Sequence, residues 1–316
     1  MILIVTHSAD LSADLVIRHL QAEHQDYVRL DTDALGTSEC SFGFASEAEL
    51  NIAGRKIRAS DVSAVWVRRF ALPKSFSLIA PEHLDFVRRE LATIMDSFLE
   101  AIPSNLQINP SYADRISGNR LLQARKAREA GFRVPETLVT QDAAVAREFL
   151  SSHPRAVTKA ISFGRTSYSS ESESFAHTSE VPANPELKGL DYCPSLFQEN
   201  IAKHFDWRIT SVGRQVFAAR MKFKTGDAVD WRCEPRASSA FEAAAAPKDV
   251  TDRLAALSIL SGIVYGAHDL IETATGEFIF IETNPAGQWG WLEVTIGLPV
   301  GRAIADELMR RACPSN

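Results

Sequence analysis

The opening hundred residues switch repeatedly between two hydrophobic periods, and that alternation leaves few architectures open. ILIVT (2–6) is a short unbroken apolar run, the pattern of a strand covered on both faces. ADLVIRHLQAE (13–23) follows with helical spacing, YVRL (27–30) reads as a second strand, and SAVWVRRF (63–70) as another. Strand, helix and strand in that order predict a parallel α/β module. PEHLDFVRRELATIMDSFLEAI (81–102) places Leu84, Val87, Leu91, Ile94 and Phe98 at steps of three and four. It reads as an amphipathic helix with Pro81 near its start and Pro103 at its end. No GxGxxG follows the first strand, so the dinucleotide-binding fingerprint is absent.

The rest of the chain reads as two further modules, giving boundaries at 1–106, 107–194 and 195–316. NPSYADRISGNRLLQARKAREAGFRVPETLVT (109–140) is loop, helix, a stop at Gly131, and strand. Asp142 caps AAVAREFL, and RAVTKAIS (155–162) is a short strand carrying Lys159. The Ser- and Glu-rich stretch 162–180 holds one glycine, Gly164, and reads as a mobile loop. In the third module DWRITSVGRQVFAARMKF (206–223) is a hairpin turning at Gly213-Arg214. VTDRLAALSILSGIVYG (250–266) is a helix stopping at Gly266. AHDLIETATGEFIFIETNP (267–285) is a second hairpin with Thr275-Gly276 in its turn, and GLPVGRAIADELMRRA (297–312) is a closing helix.

Composition narrows the function. A length of 316 residues with 45% hydrophobic and 23% charged residues is globular. A net charge of −6 argues against a sequence-independent grip on nucleic acid. Four cysteines without a CxxC pair argue against a zinc site and a disulfide framework. The apolar start is too short for a secretory segment, and no apolar run approaches the ~18 residues that span a bilayer. A soluble cytoplasmic protein, with no membrane partner, is expected.

FIFIETNPAGQWGW (278–291) concentrates the chemistry. By the period of two, Phe278, Phe280, Glu282 and Asn284 are expected on one face, and Ile279, Ile281 and Thr283 on the other. Glu282 and Asn284 then form a pair of oxygen ligands at a strand end, suited to a hard cation such as magnesium. An ordinary strand ending in an Asn-Pro turn explains the same residues equally well.

With Lys159, QENI (198–201) and ETNP (282–285) in order along one chain, the sequence resembles the ATP-grasp superfamily of carboxylate ligases. The closer resemblance is to the graspetide synthetases of the microviridin type, which macrocyclise ribosomal peptides. It rests on WVRR (66–69), INP (108–110), GNRLLQARKAREAGFRVPETLVT (118–140), HTSEV (177–181) and NPAGQWGWLEVTIGLP (284–299). The resemblance implies an α/β ATP-grasp fold. Its parts are an N-terminal parallel pre-ATP-grasp domain, a central α+β subdomain and a C-terminal antiparallel subdomain. It implies ATP and Mg²⁺, a precursor peptide with a leader as partner, and a homodimer. The implied chemistry is an acyl phosphate made on a peptide side chain and captured by a second side chain, giving an ω-ester or ω-amide and ADP. A ligase joining an amino acid or small amine to a carboxylate, like glutathione synthetase, and a nucleotide-binding module without catalysis are the competing readings.

Each residue role is one that the resemblance implies. Lys159 and Arg120 contact phosphate, against a snorkelling lysine and a solvated helix arginine. Gln198, Glu199, Asn200 and Ile201 form the hinge that reads adenine, against a plain strand end. Asp206 accepts from ribose, and Arg208 stabilises the transferring phosphoryl group with Arg220 adding a second cation, against a surface ion pair. Asp269, Glu282 and Asn284 hold the metal. Arg68 and Arg69 hold acidic residues of the substrate, and Gln288, Trp289 and Trp291 line the acceptor side, against solvated arginines and core tryptophans.

Overall fold

A computed structural model shows the architecture. It describes all residues except 36–39, 45, 53, 74–75, 77, 111–112, 114–118, 162–164, 168–172, 176–177, 183–184, 223–228, 231–239 and 314–316.

The N-terminal part is a four-stranded parallel sheet. It contains β1 (Ile2–Thr6), β2 (Tyr27–Asp31), β6 (Ala64–Val67) and β7 (Gln107–Ile108), in the order β2-β1-β6-β7. Asp10 caps α1 (Leu11–Ala22) by accepting from the Ser12 N–H at 3.0 Å. Helix α2 (Leu84–Glu100) follows the sequence reading in position, but only Met95, Phe98 and Leu99 are buried, and Phe86 in its first turns is exposed. Between β2 and β6 lies an antiparallel insert that the sequence reading leaves unassigned, β3 (Cys40–Phe44), β4 (Ala48–Ile52) and β5 (Arg55–Arg58). Leu50, Ile52 and Ile57 of the insert join the core with Leu3 and Phe98.

The central part is an antiparallel sheet of β8 (Thr137–Thr140), β9 (Ala156–Lys159), β12 (Ser179–Glu180) and β13 (Ser195–Glu199), in the order β12-β9-β13-β8. Two of its helices carry side-chain N-caps, of which the sequence predicts the one at Asp142. Asn119 accepts from Leu121 and Leu122 at the start of α3 (Arg120–Glu129), and Asp142 accepts from Ala144 at the start of α4 (Ala143–Ser152). Within 162–180, β10 (Arg165–Ser167) and β11 (Glu173–Phe175) form an antiparallel ribbon, so the part of this stretch that is described is not the loop expected; Gly164 lies outside the described residues.

The C-terminal part is a five-stranded antiparallel sheet of β14 (Phe205–Val212), β15 (Gln215–Lys222), β16 (Glu242–Ala243), β17 (Tyr265–Glu272) and β18 (Phe278–Asn284), ordered β16-β15-β14-β17-β18. Both hairpins turn where the sequence predicts, with Gly213 and Gly276 at positive φ. Helix α5 (Lys248–Ser261) ends earlier than expected, at left-handed Gly262, and Gly266 lies inside β17. A short helix α6 (Gly290–Ile296) precedes the closing α7 (Val300–Ala312). The last helix packs onto the first sheet. One buried cluster contains Ile2, Val16 and Trp66 together with Tyr265, Trp289, Ile304 and Leu308.

Candidate active site

Strand pairing sets the composition of the site. Arg208 on β14 lies opposite Asp269 on β17, Asp269 lies opposite Glu282 on β18, and Ala267 lies opposite Asn284. With Asp206 two residues before Arg208, one face of the sheet carries Asp206, Arg208, Asp269, Glu282 and Asn284. The other face carries Trp207, Ile209, Leu270, Phe278 and Phe280, packed into an apolar core. The simple alternation along 278–284 is therefore wrong for the phenylalanines. The register shifts between Asp269 and Leu270, so that Leu270 faces Phe280 while Asp269 faces Glu282, and Ile281 is the extra residue of a β-bulge. The bulge inverts the alternation where the carboxylate begins. Phenylalanines upstream stay in the core, and Glu282 and Asn284 join the polar face.

That face borders a cleft whose lining includes Asp206, Asp269 and Glu282. The central sheet contributes Lys159 and the connection Gln198–Ile201 to its wall. Glu199 accepts from Arg133 at 2.9 Å and from the Glu136 N–H at 3.2 Å. Gln198 donates to Thr137 at 2.8 Å, and Asn200 donates to Glu180 at 3.1 Å. The backbone N–H groups of Glu199 and Asn200 are also bonded, to Glu136 and Arg155. Ile201 differs: its side chain is buried with Ile271 and Ile279, but its N–H and C=O have no hydrogen-bond partner among the described residues. Asp206 sits opposite, 7% exposed, with Lys203 Nζ 2.9 and 3.1 Å from its two oxygens. Burial raises its pKa despite the neighbouring lysine.

Charge is concentrated where the two C-terminal hairpin strands meet the loop after β18. Arg208 Nη1 donates to Asp269 Oδ1 at 2.8 Å, and Nη2 to the Gln288 carbonyl at 3.0 Å. Burial opposes its charge, but Asp269 outweighs that and raises the pKa of the guanidinium. Arg120 pairs with Glu282 Oε2 at 3.2 Å, and also donates to the Ala160 carbonyl. Asn284 Oδ1 accepts from the Ala286 N–H at 3.0 Å and keeps a second lone pair. Two carboxylates on directly paired residues and one carboxamide make a hard oxygen set, which fits magnesium when ligand oxygens complete the shell. Among the described residues no cluster of three or more His, Cys, Asp and Glu is placed to hold a metal by itself.

Several sequence expectations are corrected. Arg220 pairs with Trp207, not with Asp206 or Arg208, so it stands on the opposite face of the sheet. There it lies over the Phe205 ring at 4.4 Å and pairs with Glu242 at 2.9 Å, so it adds no second cation to the cleft. Trp289 is fully buried in the core and lines no acceptor surface. Trp291 packs edge-on against Phe241. Arg68 is 1% exposed and is used internally, donating to the Ala286 carbonyl at 2.6 Å and to Gln288 Oε1 at 2.8 Å, beside Asp10. Arg69 is half-buried; burial first and Arg68 second lower its pKa, and it makes no ion pair among the described residues. The structure also adds residues without an assigned role in the sequence. Asn109 accepts from the Val264 and Tyr265 N–H groups and donates to the Tyr265 and Pro285 carbonyls. Its only sequence signal is the INP motif.

The model of the MvdD pre-ATP-grasp domain matches residues 1–115. Comparison with curated protein sequences gives no match. Among solved structures, macrocyclase MdnC bound with precursor peptide MdnA, from Microcystis aeruginosa MRC, superposes with a TM-score of 0.88 at 28% identity, covering 98% of this chain and 99% of that one. A RiPP-associated ATP-grasp ligase of Chryseobacterium gregarium, in complex with ADP and a leader and core peptide, gives 0.87 at 27% identity over 99% and 97%. Macrocyclase MdnB of Microcystis aeruginosa MRC gives 0.80 at 30% identity over 97% and 98%. With that identity over nearly the whole of both chains, and with Asp269 and Glu282 paired across the sheet, this chain belongs to the ATP-grasp macrocyclases of ribosomal peptides, the graspetide synthetases.

Proposed function

We propose that the cleft binds ATP with Mg²⁺ and activates a side-chain carboxylate of a precursor peptide for ring closure. The observation that carries this reading is the direct cross-strand pairing of Asp269 and Glu282, followed by Asn284 and flanked by Arg208 and Arg120. Asp269, Glu282 and Asn284 would hold the metal, whose charge offsets that of the phosphates. The N–H and C=O of Ile201, without a partner among the described residues, suit the edge of adenine, Asp206 suits the ribose hydroxyls, and Lys159 and Arg120 suit the phosphates.

Arg208 is fixed on one side by Asp269 and on the other by the Gln288 carbonyl, so its charge needs no rearrangement when the phosphoryl group passes. A peptide carboxylate oxygen attacks the γ-phosphorus and ADP leaves. A hydroxyl or amine of the same peptide then attacks the acyl carbon, phosphate leaves, and the attacking group loses its proton. The product is an ω-ester or an ω-amide. Arg69, beside Arg68 and without an ion-pair partner among the described residues, is suited to the acidic side chain that is activated. No helix among the described residues is long and apolar enough to cross a membrane. The proposed setting is the cytoplasm.

Glu282→Ala and Asn284→Ala test the ligand set. Each should lower precursor-dependent ADP release at limiting Mg²⁺ by more than the ten- to hundredfold, roughly, typical of outer-shell changes. Near-normal turnover in both would reject these residues as ligands.

A further inference from the structure

We propose that Gln123 is a positioning residue for the metal-binding strand, holding the Thr283 peptide so that Glu282 and Asn284 keep their aim. The proposal rests on the reading of those two residues as ligands. Strand β18 ends the five-stranded sheet; the Arg133–Ile279 bridge holds its outer edge near Phe280, but at Thr283 that edge has no neighbouring strand among the described residues. At Thr283 the backbone N–H and C=O both turn to that edge and meet the side-chain amide of Gln123. Gln123 Nε2 donates to the Thr283 carbonyl at 2.7 Å, and Oε1 accepts from the Thr283 N–H at 2.8 Å. Gln123 is 6% exposed and thus acts as one residue of a missing strand.

The placement links two parts of the site. Gln123 lies one turn after Arg120 on α3, whose start is pinned by Asn119, and Arg120 pairs with Glu282. From the opposite side, Thr283 Oγ1 is 2.8 Å from His268 Nδ1, and His268 Nε2 is 2.9 Å from Ser211 Oγ. The residue between the two ligands is therefore held through its side chain and both backbone groups. A primary amide is the side chain that offers one donor and one acceptor in a plane, matching a peptide. Covering a strand edge would be a sufficient structural role, so the test must read metal binding and not only stability.

The probe is AMPPNP affinity by calorimetry, with and without Mg²⁺, for the full chain and for Gln123→Met, Gln123→Asn and Glu282→Gln. Met keeps the length without polar atoms, and Asn keeps the amide one methylene short. In both Gln123 variants the Mg²⁺-dependent gain in affinity should fall about tenfold, the lower range of outer-shell effects. Affinity without Mg²⁺ should stay within about twofold, because no nucleotide contact is removed. An unchanged Mg²⁺ gain in either variant, or recovery of either only as unfolded protein, overturns the proposal. Glu282→Gln separates the two levels. If it keeps the full Mg²⁺ gain, the ligand assignment has failed; if it loses the gain while the Gln123 variants keep it, only the positioning role has failed.

Discussion

One methyl group would obstruct the loop beside Arg208. A Cβ at Gly287 would lie 2.5 Å from Ala267 Cβ, closer than side-chain carbons come in practice, and a tight 3.1 Å from Arg208 Nη2. Its carbonyl accepts from the buried Tyr265 hydroxyl at 2.7 Å, so the loop has little freedom to move away. Gly287→Ala should cost about 1–3 kcal/mol of stability, the range for an overfilled core. It should also lower turnover by tenfold or so, because it displaces the guanidinium that the proposed function places against the transferring phosphoryl group. Ala267→Gly in the same chain removes the facing methyl and should recover part of both losses. Turnover unchanged in Gly287→Ala, or no recovery in the double variant, would separate the loop from Arg208. The NPAGQW segment is recognisable as a turn, and Gly287 is recognisable as part of it. The need for glycine there is not, because it comes from Ala267 and Arg208 across the sheet and not from local backbone sense.

At the scale of elements, β14, β17 and β18 place a polar face over an apolar one. The period of two correctly groups Asp206 with Arg208 and Glu282 with Asn284. It fails for Phe278 and Phe280, because a bulge is a property of a strand and its partner together. Arg220 fails for the same reason, since its face depends on register with Trp207. Behind the site, His268 bridges Ser211 and Thr283 and is fully buried. Burial first, and Arg208 second, push its pKa from 6.5 down to about 3. The unfolded chain therefore takes up a proton near pH 6.5 that the folded chain refuses until about pH 3. The sign follows: this contribution to stability is whole above the unfolded value and is lost as pH falls through the window between the two. Melting temperature should drop between pH 7.5 and pH 5, and His268→Gln should flatten that slope. Equal slopes in the two proteins would show that His268 does not set it.

The whole molecule brings three parts of the chain to one cleft. Alternating apolar periods reveal the parallel sheet, and turn residues reveal both C-terminal hairpins. The insert β3–β5 is not apparent because its strands are short, with Gly43 interrupting β3 and only Ile57 apolar in β5. Nor does local pattern show that α7 closes the first sheet, or that Arg68 and Asn109 fasten the N-terminal part to the loop after β18. Those ties explain why WVRR and INP accompany ETNP: they hold the loop that holds Arg208. The central claim is that this cleft condenses side chains within one peptide at the expense of ATP. The most direct measurement is mass spectrometry of a precursor peptide encoded beside this chain, incubated with the protein, ATP and Mg²⁺. Each ring closed should lower the peptide mass by about 18 Da, one water, with one ADP and one phosphate released per ring. A mass increase matching an added amino acid or amine, or ATP consumed with the peptide mass unchanged, would contradict it.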